Sequence, residues 1–379
     1  MAPSLPLPPV SSPMLQLPRI QFAFGAIKML PAELAHLGVK NPLFLTDKGL
    51  VSAGVFDKVR AAMPHPAEMV VFDNIPENPT VAGVEAALAL YRERGCDGVI
   101  AVGGGSVIDS GKATAVMATH PGKLPEYFRK PEKIGPNVAT LIAIPTTSGT
   151  GSEVSRGAGI HATPTSRGEG INGPYIVPKL AICDPELTFT LPKHLTAATG
   201  MDALSHAVEN YLAKGNNPLG DAIALDSIRR VFAWLPKAVA NDPEARYHMM
   251  LASMEAMIPC KGLGAGHALA NTFGDQGLHH GTLVTLALPA VLRRLDAHCG
   301  DKLKAMADAM GLEKGRHAAA GIAEMNERLG LPITMKKYGY KAANIDELVE
   351  DAHKSWFNNT APYHYTVAEY REIIEEVLG

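Results

Sequence analysis

Cysteine, aromatic residues and net charge are all scarce in this chain of 379 residues. The four cysteines, Cys96, Cys183, Cys260 and Cys299, stand far apart, with no Cys-x-x-Cys among them. Such spacing argues against a disulfide framework and places the protein in the reducing cytoplasm. A formal charge of -3 gives no electrostatic case for nucleic acid or an anionic lipid surface as partner. No apolar run approaches the roughly 18 residues that span a bilayer. The first 17 residues are rich in proline and lack a basic segment followed by a continuous apolar core. They read as a flexible leader and not as a secretory signal.

What remains is the composition of a water-soluble globular protein, 46% hydrophobic and 19% charged. At this length two domains are expected. Across residues 18–190, short apolar or β-branched runs at 42–46, 69–72, 98–102 and 139–144 alternate with helical patterns such as 81–94. That alternation predicts a mainly parallel sheet with helices on both faces. After Leu191-Pro192 the strand-like runs become scarce. Long segments rich in alanine, leucine and methionine take over, opened by helix-start signals at Asp242-Pro243 and Thr366. The expected fold class is α/β plus all-α, with a Rossmann-like first domain over 18–190 and an all-helical second domain over 191–379.

Two loops in the first domain carry the pattern of a nucleotide site. Asp97-Gly-Val-Ile-Ala-Val-Gly-Gly-Gly-Ser106 reads as a buried strand, a three-glycine turn and a helix start. Glycines let a ligand approach the backbone, and a new helix points free N–H groups at a pyrophosphate. Ser106 is expected to cap this helix, with Asp109 completing a capping box. Neither a Gly-x-Gly-x-x-Gly fingerprint nor a Walker A loop is present, because Ile108 takes the third glycine's place and Ala113 the place of the hydroxyl. The second loop, Pro145-Thr-Thr-Ser-Gly-Thr-Gly-Ser-Glu-Val-Ser155, offers Thr146, Thr147, Thr150 and Ser152 as small donors. Asp47, at the tip of the run 42–46, suits the adenosine ribose and favours NAD over NADP, with a turn-forming aspartate as the alternative.

In the second half, Asp202 and His206 lie four apart, which on a helix puts both on one face. His267 and His280 follow in a glycine-rich stretch. One carboxylate and three imidazoles are a ligand set for a divalent transition metal, Fe(II) or Zn(II), able to act as a Lewis acid towards a substrate oxygen.

These segments, together with Pro76-Glu-Asn-Pro-Thr80, Asp184-Pro-Glu-Leu-Thr188 and Leu263-Gly-Ala-Gly-His267, resemble the iron-containing (group III) alcohol dehydrogenase family. The resemblance implies a dehydroquinate-synthase-like fold, NAD and iron as cofactors, and hydride transfer between nicotinamide and an alcohol carbon. It implies metal ligation by Asp202, His206, His267 and His280, and NAD contacts at Asp47, Asn78, Gly104, Gly105, Ser106, Thr146 and Thr147. A homodimer or higher homo-oligomer is also implied.

Two departures stand out. Asn271 occupies the place of a common second histidine, which removes a candidate for proton exchange and leaves His279 as a substitute. Gly168, beside Arg167, occupies the place of a frequent lysine. The surroundings of Lys261 and His279-His280 are closest to the branch that interconverts ω-hydroxy acids and semialdehydes, of the 4-hydroxybutyrate dehydrogenase kind. There Lys261 could meet the substrate carboxylate, with Arg156 as a second candidate and a plain surface lysine as the alternative. A general short-chain alcohol dehydrogenase, a dehydroquinate-synthase-like lyase and a non-catalytic metal- or nucleotide-binding protein are the competing readings.

Overall fold

The computed structural model describes residues 16–163, 166, 168–276, 278–342 and 344–379. Residues 1–15 of the expected leader, and Arg167, lie outside the described residues; Gln16 and Leu17 are exposed and carry no regular structure. No helix among the described residues is long and apolar enough to cross a membrane.

Six strands form one parallel sheet: β1 (Arg19–Phe22), β2 (Pro42–Leu45), β3 (Val70–Phe72), β4 (Gly98–Gly103), β5 (Thr140–Pro145) and, later in the chain, β8 (Leu180–Cys183). The hairpin strands β6 (Gly157–His161) and β7 (Gly168–Asn172) lie between β5 and β8 in sequence and pair with each other, with a single parallel bridge from His161 to Thr80 besides. The sheet order is β1-β8-β5-β4-β2-β3. Side chains alternate across the sheet as a two-residue period requires. Phe44, Ile100, Ile142 and Ile182 pack on one face, and Leu43, Val99, Leu141 and Ala143 on the other. Helices α1 (Leu30–Leu37), α2 (Lys48–Ser52), α3 (Val55–Ala62), α4 (Val81–Glu93) and α5 (Gly105–Met117) complete this half.

Register fixes where the loops go. Gly103 at the end of β4 stands beside Pro145 at the end of β5, and the Thr146 N–H donates to the Gly103 carbonyl at 3.1 Å. Chain direction diverges between β2, which leads outward to β3, and β4, which leads the other way to β5. A crevice beyond the carboxyl ends of the strands is the general ligand position in such sheets.

The second half is helical: α6 (Lys193–Leu212), α7 (Pro218–Val239), α8 (Pro243–Met257), α9 (Ala265–Thr272), α10 (His280–Arg293), α11 (Asp296–Ala309), α12 (Ala318–Arg328), α13 (Ile345–Lys354) and α14 (Val367–Leu378). The expected helix starts are present. Asp242 accepts from the Ala245 N–H at 2.8 Å, and Thr366 with Glu369 forms a capping box. Helix α6 is buried from Thr196 to its end, with Leu204 and Val208 packed among Ile228, Val231 and Leu288.

The halves meet along α8 and α6. Val154, Ala181 and Cys183 share a cluster with Met250 and Met254. Gly151 sits at φ 58°, where a Cβ would stand 2.7 Å from the Ser253 carbonyl. Its N–H instead donates to the Ser253 hydroxyl at 3.2 Å. The hydroxyl loop is thereby pressed against the helical half.

Candidate active site

Helix α6 carries Asp202, His206 and Glu209 on one face, at helical spacing. His267 enters from the first turn of α9, and His280 is the first residue of α10. Gly281 brings α10 close, because a Cβ there would stand 2.6 Å from the Ala198 carbonyl of α6. The chain does fold back as the ligand spacing requires. Donor atoms of Asp202, His206 and His267 lie within 4.8 Å of one another. The His267 ring is 4.7 Å from the His206 ring and 5.4 Å from that of His280, centroid to centroid. Asp202, His206 and His267 are buried, whereas His280 is exposed.

Hydrogen bonding sets which atoms remain free. Glu209 accepts from His267 Nδ1 at 2.5 Å and from the Gly264 and Gly266 N–H groups at 2.8 and 2.7 Å. With Nδ1 committed, His267 presents Nε2, which is buried and without a hydrogen-bond partner among the described residues. Asp202 Oδ1 is orphaned in the same way. His206 Nδ1 donates to the Gly149 carbonyl at 3.3 Å, which leaves Nε2 of that ring. Two buried orphaned donor atoms of opposite type, one oxygen and one nitrogen, are what a cation site requires. The residues therefore fit a divalent metal.

Ionisation points the same way. Burial alone would push the Asp202 carboxyl up, but the surrounding imidazoles of His206, His280 and His267 outweigh it and hold it below its ordinary value. Removal from water lowers His206 against the pull of Asp202; the His280 ring, turned into the same cluster although the residue as a whole keeps exposed surface, is lowered likewise. A carboxylate kept charged and imidazoles kept neutral is the protonation state that binds metal. Glu209 was not singled out from the sequence. Its position, three residues after His206 on the same helical face, was the available signal; its partner lies 58 residues away.

On the sheet side the three loops after β2, β4 and β5 share one edge. The expected capping box at Ser106 is not formed. Helix α5 starts two residues earlier with Gly104 as its cap, and the Ser106 hydroxyl donates to the Glu77 carbonyl, next to exposed Asn78. Asp109 instead accepts from the Ser152 hydroxyl at 2.5 Å and the Gly159 N–H at 2.8 Å. Fully buried Lys112 donates to Ser152, Ser155 and the Gly157 carbonyl at 2.7–2.9 Å. These bonds bind the two glycine- and hydroxyl-rich loops and the hairpin into one unit. Asp47 caps α2, accepting from the Leu50 N–H at 2.9 Å, so the turn-forming alternative describes one of its oxygens. Thr146 is buried, and Thr150 lies against Gly105.

Four further candidates find different settings. Lys261 is committed elsewhere: its ammonium contacts Asp221 at 2.6 Å and the Tyr211 carbonyl at 3.2 Å, with its side chain 3% exposed. Lys302 binds the other oxygen of Asp221 at 3.1 Å. An ammonium already paired in this way is not offered to a substrate carboxylate, which corrects the expectation for Lys261. His279 precedes α10, with Nδ1 buried and unpartnered among the described residues. Asn271 sits on α9 one turn after His267, half-buried. Arg156 is exposed at the mouth of the hairpin.

Residues 18–185 match the family model for iron-containing alcohol dehydrogenase, and residues 196–378 match the C-terminal model of the Fe-containing alcohol dehydrogenase family. The chain is 43% identical to a 4-hydroxybutyrate dehydrogenase of Cupriavidus necator, over 96% of this chain and 98% of the relative. A crystal structure of a 1,3-propanediol oxidoreductase superposes with a TM-score of 0.91 at 33% identity, covering 95% of this chain and 98% of the other. That of a sulfoacetaldehyde reductase from Bifidobacterium kashiwanohense in complex with NAD+ gives 0.88 at 27% identity, covering 96% and 98%. The chain belongs to the iron-containing alcohol dehydrogenase family. It is an oxidoreductase acting on alcohols.

Proposed function

We propose that the protein interconverts a short ω-hydroxy acid and its semialdehyde, of the 4-hydroxybutyrate and succinic semialdehyde kind, using NAD(H) and iron. The observation that carries this reading is the convergence of buried Asp202, His206 and His267 beside the loops at the sheet edge. The 4-hydroxybutyrate dehydrogenase relative supports the substrate class. Asp202, His206, His267 and His280 hold the metal, which when bound supplies Lewis-acid stabilisation of charge on the substrate oxygen. Glu209 orients His267 and keeps its Nε2 directed into the cluster. The Gly149 carbonyl orients His206 from the cofactor side, so one loop serves both binding functions.

In this reading the pyrophosphate of NAD lies at the start of α5, against Gly104, Gly105 and Ser106. Thr146, Thr147 and Thr150 offer donors from the adjoining loop. Asp47 meets the adenosine ribose, where a carboxylate disfavours a 2′-phosphate, and Asn78 is a further contact to NAD. Asn271 does not titrate; His279 is the nearer candidate for passing the hydroxyl proton to solvent. The reading divides the chain into an NAD-binding part over 18–190 and a metal-binding part over 191–379. The family matches, which end at 185 and resume at 196, support a break there. It also includes a cytoplasmic homo-oligomer; four free cysteines are consistent with a reducing compartment.

Iron-loaded protein held without oxygen should form NADH from 4-hydroxybutyrate and consume it with succinic semialdehyde, and label from the deuterated alcohol should pass to NAD. Chelation should stop both reactions, and added Fe(II) should restore them. Full turnover by metal-stripped protein would overturn the reading.

A further inference from the structure

Residues 258–264 join α8 to α9 without regular structure, yet they deliver His267 to a buried cluster. Loops are by default the mobile part of a fold, so a side chain placed just beyond one needs tethers to hold its aim. Cys260 adds to the need. Its φ of 47° is left-handed, a conformation that a residue with a Cβ keeps only where its surroundings impose it.

The tethers run to α6. The N–H groups of Lys261 and Gly262 donate to the Asn210 amide oxygen at 2.9 and 3.2 Å. The Asn210 amide nitrogen donates in turn to the His206 and Ala256 carbonyls at 3.1 and 3.0 Å. This buried amide thereby uses its full hydrogen-bonding capacity. Farther along, the Gly264 and Gly266 N–H groups donate to Glu209, which also holds His267. Asn210 and Glu209, adjacent on α6, together take the N–H groups at 261, 262, 264 and 266.

The Lys261 side chain supplies the outermost tether. Its ammonium reaches the Tyr211 carbonyl at 3.2 Å and Asp221 at 2.6 Å. Tyr211 lies in the last turn of α6, where carbonyls lack partners within the helix, and Asp221 in the first turn of α7. A cation at the one end and an anion at the other suit the two helix dipoles. Lys302 of α11 binds the same two groups, at 2.6 Å to Tyr211 and 3.1 Å to Asp221. The two lysines differ in one respect: Lys261 belongs to the strap that leads to His267, and Lys302 does not. A buried ion pair adds little net stability, because desolvation offsets the attraction. Fixed geometry is the better account of a lysine side chain that is 3% exposed.

We propose that Lys261 and Asp221 are positioning residues for the metal. They set the strap on α6 so that Gly264 and Gly266 meet Glu209, which then turns His267 Nε2 into the cluster. The inference rests on the reading that Asp202, His206, His267 and His280 hold iron. It gives Lys261 a part in the site without any contact to substrate.

The test is iron affinity, measured without oxygen by competition with a chelator on the full-length protein. Lys261→Met keeps the length of the side chain and removes its ammonium. Iron affinity falls about tenfold, the low end of what losing an outer partner of a ligand costs. Asp221→Asn lowers it by a similar factor and serves if the first variant folds poorly. Lys302→Met gives up contacts to the same Asp221 and Tyr211 groups yet keeps the wild-type iron affinity, because its backbone is no part of the strap. Unchanged affinity in folded Lys261→Met and Asp221→Asn overturns the proposal. Equal losses in Lys261→Met and Lys302→Met overturn it as well, since a clamp that only stabilises the fold would act through both lysines alike. A wild type that binds no iron defeats the functional reading instead.

Discussion

The two halves of the site are built from opposite materials. On the sheet side, the site consists of bare backbone and small hydroxyls: Gly103 to Ser106, the run from Thr146 to Ser152, and the glycine-faced hairpin. On the helical side it consists of a carboxylate and imidazoles, two of them oriented by further hydrogen bonds, His267 by Glu209 and His206 by the Gly149 carbonyl. A dinucleotide is large and reaches the protein over many small contacts, so room and N–H groups matter most. A cation is small and concentrates its demands on a few atoms, so side-chain orientation matters most. Damage to one half should therefore spare the function of the other.

The largest separation is expected from His267→Ala. It removes one donor and strands the Glu209 carboxylate in a buried site, so iron should be lost and turnover should fall about a thousandfold or more. NAD binding, followed by fluorescence, should persist; its loss would break the division. Glu209→Gln is milder. The ring keeps a hydrogen-bond partner but loses a charged one, and iron affinity should fall roughly 10- to 100-fold, measured by competition with a chelator.

Gly105→Ala probes the other half. A Cβ there would stand 2.5 Å from Thr150 Cγ2, so the hydroxyl loop must shift. NAD affinity should weaken by about tenfold, a cost near 1.4 kcal/mol, while the iron content stays at one equivalent. Equal loss of iron would show the halves to be coupled more tightly than their chemistry requires.

The smallest effect concerns stability alone. Burial pushes Glu153 up to about 7 from its ordinary 4.5, and its Oε1 has no partner among the described residues. The folded state thus holds a proton that the unfolded chain releases. The stability this group contributes is complete below pH 4.5 and is lost as pH rises through about 7. Glu153→Gln should raise stability by roughly 1–3 kcal/mol at pH 8 and by little at pH 5, read from denaturant midpoints.

Legibility in the sequence followed the range of the interactions. Strands β2, β4 and β5 announce themselves as short apolar runs, and α8 and α14 through caps that involve neighbouring residues. The Asp202 and His206 pair was readable because helical spacing is local. Edge strand β1 and its neighbour β8, four residues each, were not singled out, for their identity lies in pairing across some 160 residues. Ser106 misled because Gly104, two places before it, could cap the helix just as well, leaving the hydroxyl to Glu77. Lys261 misled because its counter-ion lies 40 residues back in the chain. The hairpin was not singled out, since glycine and asparagine carry little strand preference.

Helix α6 holds Asp202, His206 and Glu209 on a single rod. Any twist of that rod moves two of the proposed metal donors and the anchor of a third in concert, so the site proposed for the metal has few independent ways to deform. Gly200, where a Cβ would meet Leu235 at 2.2 Å, locks the rod against α7 just ahead of the first donor. Retuning this enzyme for another metal would accordingly begin at the α6–α7 seam, away from the ligands themselves.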